Sequence, residues 1–149
     1  MPIVTANATP KAPEPTGYSG TPLPKKLGIK EGHRVLFQNA PEGFAPQPMP
    51  DDVDVDHAAH DGPYDVILAF TPNRAALAQA FETLPALLER SGALWACWPK
   101  RASGVPTDLT DTVVRQDALA LPIGLVDVKV AAIDATWSGL KLVYRLTNR

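Results

Sequence analysis

Lys100, Arg101, Ser103 and Gly104 follow directly on an apolar run and lead to Thr107 and Asp108, either of which fits the first position of a helix. A helix N-terminus offers free N–H groups and partial positive charge, and two cations beside it strengthen the attraction for a phosphate or carboxylate. Lys100, Arg101, Ser103 and Thr107 are therefore a candidate site for a small anionic ligand, with Asn73 and Arg74 as neighbours from another loop. Trp98 offers a face on which a base or ring could stack. The competing reading makes Lys100 and Arg101 solvated cations paired with nearby acids, and Thr107 a helix cap alone.

Other reactive residue types are present without a complete constellation. His57 and His60 stand among Asp51, Asp52, Asp54, Asp56 and Asp61, a set chemically competent for zinc or nickel, but no further ligand at fixed spacing accompanies them. No metal is assigned. Cys97 is the single cysteine, which excludes an intramolecular disulfide and any multi-cysteine centre, and its apolar neighbours make it a small buried hydrophobe. G-x-S-x-G, a phosphate-loop motif and H-E-x-x-H are all missing, so no catalytic residue is assigned. Trp137, Ser138 and Lys141 lie in and after the turn-rich stretch DATWSG and form a candidate ligand or dimer surface. Alternatively, Trp137 folds back over the sheet edge as packing.

The elements that would position these residues are legible from hydropathy. RVLF (34–37) and YDVILAF (64–70) are near-continuous β-branched and aromatic runs, as expected for strands buried on both faces, and ALWACW (93–98) is a third. LVDVKVAAI (125–133) and LKLVYRL (140–146) read as an antiparallel hairpin. Between Asn73 and Arg90 apolar residues recur at helical spacing, with Pro85 as a break and Ser91-Gly92 as the stop before the next strand. A second helix is expected over Thr107–Ala120. Strand and helix in alternation imply right-handed crossovers and a compact Rossmann-like three-layer α/β sandwich: a mostly parallel sheet with an antiparallel C-terminal edge hairpin. In such a sheet ligands bind outside the carboxyl ends of the strands. Here those ends are Gln38–Glu42, Thr71–Arg74 and Pro99–Gly104. Lys25 and Lys26 precede the first strand and so fall toward its amino end, where they solvate a short helix around Pro22–Leu27 or touch a polyanion.

Composition bounds the rest. The 149 residues suit one domain, with 45% hydrophobic and 20% charged residues. Ten of the 16 prolines lie in the first fifty residues, so residues 1–16 read as a disordered Pro-rich arm and 17–149 as a single domain. A net charge of -2 gives no global attraction for nucleic acid or anionic lipid. The acids are concentrated: residues 41–65 carry seven and no Lys or Arg. That stretch has room for one short extended piece at Val53–His57. The chain has neither an apolar run long enough to span a bilayer nor an apolar signal core at its start, and a soluble, cytoplasmic protein without a membrane partner is expected.

The order of elements resembles the class I methyltransferase fold. KKLGIKEGHRVLF is similar to the lead-in to its first strand, YDVILAF to its fourth, the Pro-broken helix with SGALWACWP to its fifth, and LVDVKVAAIDATWSGLKLVYRL to its final antiparallel pair. The resemblance implies S-adenosylmethionine as cofactor, held by a glycine-rich loop after the first strand. Here that strand runs instead into Gln38-Asn39-Ala40-Pro41-Glu42-Gly43, and only some two dozen residues precede YDVILAF, too few for two more strand–helix units. The residues therefore argue against that cofactor. GYSGTPLPKKLGIKEGHRV (17–35), WPKRASGVPTDLT (98–110) and WSGLKLVYR (137–145) resemble a bacterial domain-of-unknown-function family, number 3052. That resemblance implies a small methyltransferase-like domain with no assigned reaction. The expectation is a non-catalytic module for a small anion, nucleotide or protein partner. A methyltransferase-like enzyme on a nucleotide-like substrate and a pure protein-interaction module are the alternatives.

Overall fold

The computed structural model of the chain describes residues 20–146, so the N-terminal arm lies outside the described residues. A short helix α1 (Leu23–Lys26) precedes strands β1 (Arg34–Gln38), β2 (Asp54–Asp56) and β3 (Tyr64–Phe70). Helix α2 (Arg74–Thr83), a 3-10 turn (Pro85–Leu87) and the long strand β4 (Leu88–Pro99) follow. A second 3-10 turn (Arg101–Ser103), helix α3 (Asp111–Leu119) and the hairpin β5 (Leu125–Ala132) and β6 (Trp137–Tyr144) complete the domain.

The six strands form one sheet in the order β2-β1-β3-β4-β6-β5. β1 pairs in parallel with both β2 and β3, and β3 with β4, whereas β6 is antiparallel to β4 and to β5. The domain is thus the expected mostly parallel α/β sheet with an antiparallel pair at one edge. The last strand does not sit at the margin, however, because β6 is inserted between β4 and β5. One face packs under α2 and α3 through Leu36, Ile67, Leu77, Leu94, Val114 and Leu140. The other face buries Val35, Phe37, Leu68, Phe70, Trp95 and Cys97 under α1 and the coil of residues 40–50. The run between β1 and β3 supplies the single short strand β2 and no helix.

Several element ends differ from the sequence reading: β6 opens at Trp137 instead of Leu140, β4 at Leu88 instead of Ala93, and both helices are shorter than expected. α2 begins as expected, with the Asn73 side chain accepting the Ala76 N–H at 2.9 Å, but it stops at Thr83. Pro85 has no N–H to continue the ladder and opens a 3-10 turn, so Leu87 and Leu88, which keep the helical spacing, belong to the turn and to β4. Ser91 and Gly92 consequently lie inside β4, at an irregularity where Tyr64 pairs with Leu88 but Val66 with Ala93. α3 starts at Asp111, capped by Thr110, four residues later than Thr107. The reason is tertiary: Thr107 Oγ1 donates to the Pro72 carbonyl at 2.8 Å, and Asp108 Oδ1 accepts the Arg74 N–H at 2.8 Å. Both candidate caps are spent tying this segment to the start of α2.

At the β2 edge, buried Tyr64 donates its hydroxyl to Asp56 Oδ2 at 2.5 Å, and Arg34 lies 3.4 Å from the same oxygen. The Tyr64 hydrogen bond, aided by Arg34, holds the Asp56 carboxyl below its usual value, while burial pushes the Tyr64 phenol up. A depressed carboxyl contributes stability that is present above its unfolded pKa of about 4 and is lost as pH falls through the folded value. Tyr64→Phe should therefore lower the urea midpoint at pH 7, and the gap to wild type should narrow below about pH 4. A gap that stays constant down to pH 2 would refute the coupling.

Candidate functional site

Strand order reverses at β1, whose neighbours are β2 on one side and β3 on the other, so the carboxyl ends of β1 and β3 are the switch point of the sheet. On the coil face this place is filled. Phe44, carried by the loop after β1, packs edge-on against Phe37 (5.1 Å between centroids) and Phe70 (5.0 Å), and Phe70 against Trp137 (5.2 Å). On the helix face a cavity of about 310 Å³ remains, lined by Gln38, Asn39, Thr71 and the flank of α2. Gln38 Oε1 is buried there without a hydrogen-bond partner among the described residues, and Asn39 adopts a left-handed φ of 62° while its amide donates to the Phe70 carbonyl. The sequence marks Gln38 as a strand end, but its burial beside this cavity depends on where the strand order turns.

A second cavity, of about 580 Å³, opens over the carboxyl end of β4. Its lining joins Lys100, Arg101 and Thr107 to Ser138 of β6, with Trp98, Val105, Leu109 and Val130 as apolar wall and Thr110 and Asp111 from the start of α3. Four residues that the sequence reading placed in two groups thus meet in one place. The basic lining is available to a ligand: neither Lys100 nor Arg101 is in an ion pair among the described residues. Asp111 in the first turn of α3 is the opposing charge in this lining.

The remaining candidates, Ser103, Asn73, Arg74, Trp137 and Lys141, are not in the lining of this cavity. The Ser103 hydroxyl donates to the Lys100 carbonyl at 2.6 Å and accepts the Val105 N–H, so it shapes the loop. Asn73 caps α2, and the Arg74 guanidinium makes a two-pronged pair with Asp117 at 2.8 and 2.9 Å. That hydrogen-bonded carboxylate keeps Arg74 charged, its pKa raised, and occupies its donors. Trp137 is half-buried against Phe70 on the coil face, and Lys141 lies on that same face. Trp137, Ser138 and Lys141 therefore do not form one patch, because Ser138 points to the helix face.

Cys97 is fully buried, and burial pushes its thiol up, away from the thiolate a nucleophile requires. His57 packs edge-on near Phe37, the His60 N–H donates to the Tyr64 hydroxyl, and among the described residues no three His, Cys, Asp or Glu side chains gather as metal ligands. Among the same residues no helix is long and apolar enough to cross a membrane.

No protein-family model and no curated protein matches the chain. Among solved structures it is similar to TrmN from Thermus thermophilus, with a TM-score of 0.54 and 14% identity, covering 83% of this chain and 47% of that one. The chain therefore spans about half the length of this neighbour, a methyltransferase, and its fold is methyltransferase-like.

Proposed function

We propose that this domain is a non-catalytic binding module for a nucleotide-like anion, seated in the cavity at the carboxyl end of β4. The observation that supports the reading is the pairing of two uncompensated cations, Lys100 and Arg101, with the apolar wall of Trp98, Leu109 and Val130 in a single cavity of about 580 Å³. A phosphate is attracted by the cations, and a ring gains from leaving water against the wall. Ser138 and Thr107 offer hydroxyls for orientation. S-adenosylmethionine has no part in this reading, because the loop after β1 lacks the glycine pattern that lets backbone approach such a cofactor and instead packs Phe44 against Phe37 and Phe70.

Calorimetric titration with AMP and ADP tests the assignment. Saturable binding that weakens with salt is expected, and Lys100→Ala/Arg101→Ala should weaken it at least about tenfold, the scale of one lost charge-assisted contact. Binding unchanged in that variant would refute the site. A second reading, methyl transfer to a nucleotide-like substrate, is favoured by the structural likeness to TrmN and requires saturable S-adenosylmethionine binding.

A further inference from the structure

The coil face carries a group of cations that the β4 cavity does not use. Lys129 and Lys141 are directly opposite each other in the β5–β6 ladder, so their side chains leave the same face of the sheet a few ångströms apart. Trp95 is the next residue across, paired with Lys141 from β4, and its indole N–H donates to the Leu27 carbonyl at 3.1 Å. This bond seats the turn after α1 on the sheet. Gly28, at φ +84° in that turn, brings its backbone against the Lys141 ammonium: a Cβ there would lie 3.9 Å from Nζ. Lys30 follows two residues later, close enough to act on Lys141 electrostatically.

Lys129 and Lys141 therefore stand side by side with Lys30 in electrostatic reach of Lys141, and none of the three is in an ion pair among the described residues. Like charges directly opposite on a sheet are destabilising, and Lys141 is also half-buried, so its ammonium is partly stripped of water. Burial first, then Lys129 and Lys30, push its pKa down. A divalent or higher oxyanion bridging the ammonium groups would reverse each of these costs.

We propose that Lys30, Lys129 and Lys141 form a second anion site, on the opposite face from the β4 cavity, that takes a multiply charged phosphate group. A single monovalent anion cannot neutralise three cations, and at Gly28 no side chain stands beside the Lys141 ammonium. The site is independent of the nucleotide reading. It holds the phosphate by charge.

The test uses the full chain carrying Lys100→Ala/Arg101→Ala, so that the β4 cavity is silent, with inorganic pyrophosphate as probe and sodium chloride at matched ionic strength as control. Pyrophosphate should raise the unfolding midpoint above the chloride control. Adding Lys141→Met should raise the midpoint without anion, by removing the repulsion, and weaken the pyrophosphate response at least tenfold. Lys141→Arg should keep the response. ADP in place of pyrophosphate distinguishes a free from an esterified phosphate group as the ligand. No response to either probe in the parent, or a response that survives Lys141→Met, overturns the proposal. If Lys141→Met fails to fold, Lys129→Gln provides the same comparison from the exposed side of the pair.

Discussion

Trp95→Ala is expected to remove about 4 kcal/mol of folding stability, a large part of what a domain of this size possesses. The side chain has no exposure at all and stands in the middle of the coil-face core, with Leu27, Val35, Phe37 and Cys97 in the same cluster. The sheet around it cannot collapse into the space. Gly139 on β6 has no side chain to offer, because the indole already occupies the position above it; a Cβ there would be 3.1 Å from the ring. The loss also orphans the Leu27 carbonyl, so the turn after α1 loses its tie to the sheet. Urea unfolding provides the comparison: Trp95→Phe, which refills most of the volume, should recover more than half of the loss. A deficit below about 1 kcal/mol for the alanine variant would mean that the coil-face core is not a packed layer.

Gly92→Ala is the second large effect, at about 2–3 kcal/mol. A Cβ at this position would lie 2.6 Å from the Asp65 carbonyl oxygen and 3.0 Å from Leu88 Cδ1, and the first of these is backbone in the adjacent strand. It cannot turn aside as a flexible side chain would. Displacing Asp65 also strains its acceptance of the Arg34 N–H at 2.8 Å, which links β3 to β1. Gly104→Ala is the control. Gly104 has a left-handed φ of +78° but nothing within 4 Å of a new Cβ, so only the backbone preference is lost, about 1 kcal/mol. Equal losses at the two glycines, measured by thermal unfolding, would disprove the packing argument.

The strands were legible because burial on both faces forces uninterrupted apolar runs: YDVILAF coincides with β3 to the residue. The start of α2 was legible because the helical spacing of its apolar residues is a local pattern. Element ends set by distant partners were not. Thr107 and Asp108 have the composition of a helix start, and only the positions of Pro72 and Arg74 show that they are already engaged. The hairpin is visible in alternation, but alternation says nothing about which of its strands meets β4. The same distinction runs through the candidate sites. Lys100, Arg101 and Thr107 are close in sequence and share a cavity, whereas Arg74 is paired with Asp117 across 43 residues, and no spacing rule reaches that far. Lys30 and Lys129 escape sequence reading entirely, and the sequence groups Lys141 with Trp137 and Ser138 instead, because each lysine looks like an ordinary solvated one until the turn after α1 is laid on the sheet.

The insertion of β6 between β4 and β5 bears on how the chain is made. A ribosome delivers β5 before β6 exists, and at that moment β5 has no partner strand, since its only pairing is with β6. The nascent sheet therefore waits at β4 with an open margin, and Val128 and Val130 of β5 are apolar side chains that remain exposed even in the finished domain. The last strand closes both seams at once. Vectorial synthesis thus leaves an interval in which two unpaired strand edges are available to other chains, and protection by a chaperone would matter most between the emergence of β5 from the ribosome and that of β6.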